Sequence, residues 1–191
     1  DSADHGEPVL GDFVAAAHAA GLMVLIDVVY NHFGPEGNVL SGLCPAFFDA
    51  RRETPWGAAI AIERAPVRDF FVRNAEMWLA EYGADGLRLD AVHQIGRTER
   101  DTGFVEVLAA HVGRLDLGRD VHLVAEDERN LASYVDAAGV LKAQWNDDWH
   151  HAVHVLLTGE AHSYYAPFAA DPFGDLVTAL RDGQVAQGQE R

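Results

Sequence analysis

The sequence predicts an α/β fold built on a parallel sheet. Short apolar runs alternate with amphipathic helical patterns, the order that strand–helix–strand crossovers produce. The clearest run, Leu22 to Ile26, is continuously apolar, as expected of a strand covered on both faces. Three runs also deliver charged groups at their C-terminal ends: the Leu22–Val29 run with Asp27 and His32, Ala84–Leu89 with Asp90, and Val121–Ala125 with Glu126. Charged residues gathered at the ends of parallel strands describe the mouth of a (β/α)8 TIM barrel. About four strands are legible, whereas eight with their helices typically need about 250 residues. The alternation fits either an open doubly wound sheet or the central part of such a barrel; the strand-end motifs favour the barrel, occupying residues 1–191, with a loop excursion at about 33–65.

Taken in order, Phe13 to Ala20 is alanine-rich and stopped by Gly21, a helix with a glycine just past its end. The Leu22–Val29 strand follows. Residues 33–65 are rich in Gly and Pro, without a clear period. Val67, Phe70, Phe71, Ala75, Trp78, Leu79 and Tyr82 recur at helical spacing, and Gly83 ends that helix. After the Asp90 strand, Phe104, Val107, Leu108, His111 and Leu115 mark another amphipathic helix, followed by the Glu126 strand. Leu141 to Trp145 reads as a fourth strand, His150 to Thr158 as a helix closed by Gly159, and Phe173 to Arg181 as the last helix. The polar tail from Gly183 is expected to be loose.

Composition narrows the function. Apolar residues make up 49% of the chain, which suits a packed core, and the formal net charge is -16. So acidic a chain lacks the positive field that nucleic acid or an anionic membrane requires. No apolar stretch is long enough to span a bilayer. A neutral glucan tolerates the charge. The single cysteine, Cys44, excludes an internal disulfide and fits a reducing, cytoplasmic setting. The chain opens on Asp1 with no initiator methionine and no signal-peptide pattern, so it is expected to be an internal piece of a longer chain.

Arg88 and Asp90 lie two apart on one strand, so both side chains point to the same face. An arginine beside a carboxylate keeps it ionised, and an ionised, positioned aspartate can attack an anomeric carbon. A structural ion pair is the equal alternative. Asp27 is placed to join Arg88 from the neighbouring strand. Glu126, Asp127 and Glu128 form a run of acids; a desolvated member of such a run keeps its proton, as a general acid must. Asp127 and Glu128 read as a solvated acidic loop. Two carboxyls at a barrel mouth are the minimum equipment for cleaving a glycosidic bond. In the string Trp145-Asn146-Asp147-Asp148-Trp149-His150-His151-Ala152-Val153-His154, the two tryptophans suit either a sugar platform or plain core. His150 and His154 share a helix face, but His151 stands where a zinc protease needs its glutamate, so no metal site is expected.

Together the strand-end strings resemble the α-amylase superfamily of retaining glycoside hydrolases. Asp27-Val28-Val29-Tyr30-Asn31-His32, Gly86-Leu87-Arg88-Leu89-Asp90-Ala91-Val92-His93 and Val124-Ala125-Glu126 look like its first three signature regions, in order. The strings His32 to Asn38, Thr54-Pro55-Trp56-Gly57, and Gln144 through His154 to Glu160 resemble, more narrowly, its trehalose-releasing members. The resemblance implies Asp90 as nucleophile, Glu126 as acid/base, and Arg88, His32 and His93 as supports of the reacting sugar. Asp27, Tyr30, Asp147, Asp148, Trp149 and His150, within the matched strings, are further expected substrate contacts. It implies hydrolysis of the α-1,4 bond next to the terminal trehalose unit of maltooligosyl-trehalose, or action on a related α-glucan, with no cofactor. The family's third acid, the aspartate of an Asn-His-Asp string after the seventh strand, has no match: Asn31-His32 is followed by Phe33. The first two and last two strands also lack counterparts, so the remainder of the barrel is an expected partner. A glucan branching enzyme and an inactive carbohydrate-binding fragment are the rival expectations.

Overall fold

The computed structural model describes residues 7–34, 36–96, 103–135 and 141–186. Helix α1 (Glu7–Ala19) leads into strand β1 (Leu25–Val28). Gly21 adopts φ 75° in the connecting turn, a conformation glycine takes without a Cβ penalty. The excursion holds a short helix α2 (Leu40–Leu43) and a hairpin of β2 (Phe48–Thr54) and β3 (Gly57–Ile60). Helix α3 (Ala65–Glu76) runs into a π-helical turn, Met77–Glu81, before β4 (Gly86–Leu89). Then come α4 (Phe104–Val112), β5 (His122–Ala125), β6 (Ala143–Gln144), α5 (Asp147–Thr158) and α6 (Pro172–Asp182).

The main sheet has the order β1-β4-β5-β6, with every neighbouring pair parallel. Asp27 lies level with Arg88, Arg88 with Val124, and Val124 with Ala143. Alternation along each strand divides the two faces. Val28, Leu87, Leu89, Leu123 and Ala125 are buried and join Val67, Phe71, Ala75, Leu79 and Leu108 of the helical layer in one core. Asp27, Arg88 and Val124 occupy the other face, the one that becomes a barrel interior. At Gly86 there is no room for a side chain between β4 and β5: a Cβ there would stand 2.2 Å from the His122 carbonyl oxygen. At the opposite end from the charged groups, Asp85 accepts from the Val24 amide at 2.7 Å and contacts His18 Nε2 at 2.8 Å, tying α1 to the sheet.

The excursion contains more regular structure than its composition suggests. Thr54 Oγ1 accepts from the Trp56 amide and donates to the Gly57 carbonyl, closing a tight turn. The Ile60 amide donates to Asn31 O at 3.2 Å, fastening the hairpin beside the β1 end. The fourth strand is shorter than the expected 141–145, because Asn146 already caps α5: its side chain accepts from the Trp149 amide at 3.0 Å. Helix α5 thus begins at Asp147, ahead of the expected His150, with Asp147 and Asp148 in a first turn that favours negative charge. The start of the tail is held, not loose. Asn146 donates to the Gly183 carbonyl, and the Val185 and Ala186 amides donate to Asp148 at 2.7 and 3.0 Å. Residues 187–191 lie outside the described set.

Candidate active site

The strand ends converge on one guanidinium. Arg88 Nη1 donates to Asp27 at 2.8 Å and to Asp90 at 2.7 Å, while Nη2 lies 2.7 Å from Glu126 Oε2. The Arg88 side chain is 11% exposed, so these charge-assisted contacts act with little competition from water. Sheet register sets the convergence. The Asp90 amide donates to Val28 O, and the Glu126 amide donates to Leu89 O, which places both acids one step beyond adjacent parallel strands. Beyond Asp90, Ala91 takes a left-handed conformation, φ 40° and ψ 55°. Its amide donates to Glu126 Oε2 at 3.1 Å, and the next amide, Val92, donates to Glu126 O at 2.9 Å.

Asn31, 1% exposed, adds a fourth fixed group. Its Nδ2 donates to the Asp90 carbonyl at 2.8 Å and to Oδ2 at 3.2 Å, while Oδ1 is paired with His32 Nδ1. Burial pushes the Asp90 carboxyl up, but hydrogen bonds from Asn31 and Arg88, the arginine's charge and a hydrogen bond with Glu126 outweigh it, so the pKa lies below the ordinary carboxylate value. His32 stacks on Trp56 of the hairpin turn at 5.3 Å. His93 Nε2 lies 3.3 Å from Glu128, and its buried Nδ1 has no hydrogen-bond partner among the described residues. Asp147 sits on the wall of an adjoining cavity of about 390 Å³, with His93, Glu128, His151 and Tyr164. Burial first, then the charge of Glu126, pushes its carboxyl up to about 6. His151 is pushed down to about 4, chiefly by burial.

Several expected contacts lie elsewhere. Tyr30 is 3% exposed, packed against Phe71 and Phe104, with its hydroxyl donating to Asn74 at 2.8 Å. It sits among the core aromatics, away from the mouth. Asp148 lines the same cavity as Asp147, while its Oδ2 accepts from the two tail amides. Asp127 is wholly buried and gripped by Arg129 at 2.6 and 2.8 Å, unlike the solvated acid expected; only Glu128 of that pair is open, its side chain 66% exposed. Trp149 is exposed on the first turn of α5. His150 leans on Asp147 at 3.7 Å, whereas His154 turns to Glu160 at 2.6 Å, so these two histidines do not converge. Two residues outside the expected set belong to the site. Asn31 is one; Trp145, whose ring lies 4.2 Å from Arg88 Cζ, is the other. Both stood in strings the sequence singled out, Asn31 in the first strand-end string and Trp145 as one of two tryptophans suited to a sugar platform or core, but neither was expected at this hub.

Sequence and fold together make the chain a section of an α-amylase-type (β/α)8 barrel. It superimposes with a TM-score of 0.83 and 43% identity on a Salmonella typhimurium crystal structure bearing an alpha-amylase designation, covering 94% of this chain and 32% of that one. Relatives by sequence include several malto-oligosyltrehalose trehalohydrolases and, over 87 residues at 42% identity, a 1,4-alpha-glucan branching enzyme of Thiobacillus denitrificans. The trehalohydrolase of Rhizobium sp. (strain M-11) is 43% identical over 185 residues, 92% of this chain; that of Deinococcus radiodurans is 40% identical over 188 residues, 98% of this chain. The chain spans about 30% of the length of each of these two relatives. No protein-family model matches it.

Proposed function

We propose that this chain carries the two reacting carboxyls of a retaining glycoside hydrolase that releases trehalose from maltooligosyl-trehalose. The observation that carries the reading is the sharing of one buried guanidinium by Asp90 and Glu126. Retaining glycosidases hold their two carboxyls about 5–5.5 Å apart, because one attacks the sugar directly. The pairing with Arg88 and Asn31 favours an ionised Asp90, the form a nucleophile needs. Asp90 attacks the anomeric carbon as the glycosidic C–O bond breaks, and Glu126 gives its proton to the departing trehalose oxygen. A water then attacks the glycosyl–Asp90 ester; Glu126 takes the water's proton, and the shortened maltooligosaccharide leaves. His32, paired with Asn31, and His93, beside Glu128 on the cavity wall, are assigned to the sugar's hydroxyls. The single cysteine suits a reducing, cytoplasmic setting.

The test uses the full-length protein carrying this chain, with maltotriosyl-trehalose as substrate. Trehalose is the expected product. Asp90→Asn should abolish turnover while substrate binding persists. Glu126→Gln should slow this substrate by about 10²–10⁴, and slow one with a better leaving group far less. Equal loss on both substrates would remove Glu126 from the acid role. New α-1,6 branches in amylose, without trehalose release, would transfer the reading to a branching enzyme.

A further inference from the structure

We propose that Trp145 is a positioning residue whose indole face holds the Arg88 guanidinium flat between Asp90 and Glu126. The proposal rests on the functional reading above. Trp145 follows β6 directly, and its amide donates to Ala125 O at 2.8 Å, which fixes its backbone one strand over from Glu126. Its ring lies 4.2 Å from Arg88 Cζ, well inside the range at which a guanidinium is attracted to an aromatic face. Nη1 donates to Asp27 and Asp90, and Nη2 lies 2.7 Å from Glu126. Nε is buried with no hydrogen-bond partner among the described residues. Edge contacts alone leave the plane free to tilt, and the indole opposes that tilt while shielding one face from water. The remaining groups around the acids come from the other elements: Asn31 and His32 after β1, and Asp147 at the start of α5.

Kinetics in the full-length protein test the idea, with maltotriosyl-trehalose as substrate. Trp145→Leu should lower kcat roughly tenfold, leave KM within about twofold, and move the acid limb of the kcat/KM profile to higher pH. The limb moves because Asp90 loses part of the contact that keeps it ionised. Trp145→Phe keeps an aromatic face and should recover most of the rate and the limb, at a melting temperature matching that of the leucine variant. A loss confined to KM with the limb unmoved makes Trp145 a sugar platform and overturns the proposal. Equal behaviour of the phenylalanine and leucine variants overturns it too. Asp90→Asn separates the failures. Activity surviving in that variant sinks the functional reading, whereas a dead Asp90→Asn beside an unaffected Trp145→Leu sinks only this inference.

Discussion

Asp147 shows how one side chain's surroundings decide its behaviour. Its side chain is 13% exposed and close enough to Glu126 to feel that charge. An acid whose pKa is higher in the folded than in the unfolded state supports the fold while protonated. That support is complete below about 4, the unfolded value, and is lost as pH rises through about 6. Asp147→Asn cannot ionise, so its melting temperature should gain on wild type between about pH 5 and about pH 8. An offset identical at both pH values would mean that Asp147 does not titrate in this range. At this scale the charged hub was largely legible, because Arg88 and Asp90 alternate onto one face of an apolar run. The parts supplied by Asn31 and Trp145 were not. Each acts across a strand boundary, and register between distant segments is not written in local spacing.

Among elements, the β4–β5 contact is the most exacting. With the His122 carbonyl 2.2 Å from any Cβ at position 86, Gly86→Ala must push the two strands apart. The expected cost is about 1–3 kcal/mol, measurable as a lower denaturant midpoint. A variant as stable as wild type would show that the strands can part there freely. The same displacement shifts Asp90 relative to Glu126, so activity should fall further than stability alone explains. Strands β1, β4 and β5 were legible as apolar runs, and α5 and α6 as periodic patterns. The β2–β3 hairpin was not. Its first strand, Phe-Asp-Ala-Arg-Arg-Glu-Thr, is too polar to announce itself. Its order comes from the Thr54 turn and from docking beside Asn31.

Across the whole molecule, the sheet has two open sides. β1 pairs only with β4, and β6 only with β5, among the described residues. Beside β1, Leu22, Met23 and Leu25 are 62%, 64% and 42% exposed. An unpaired strand edge flanked by apolar side chains invites further pairing. The 191-residue chain by itself should therefore self-associate at micromolar concentration, read by light scattering or sedimentation. Met23→Lys should reduce that association, and a strictly monomeric wild-type chain would refute the expectation. Barrel closure is the part of the architecture that local patterns expressed least. Four alternating strands fit an open sheet equally well, and only the strand-end strings pointed to a closed one.

Ala91 has a mechanical consequence. Its left-handed turn aims two successive amides at Glu126, one at the side chain and one at the main chain. The peptide leaving one acid therefore grips the other, so the backbone after β4 helps hold the Glu126 carboxylate beside Asp90. A displacement of the β4 end therefore pulls on Glu126 through both amides.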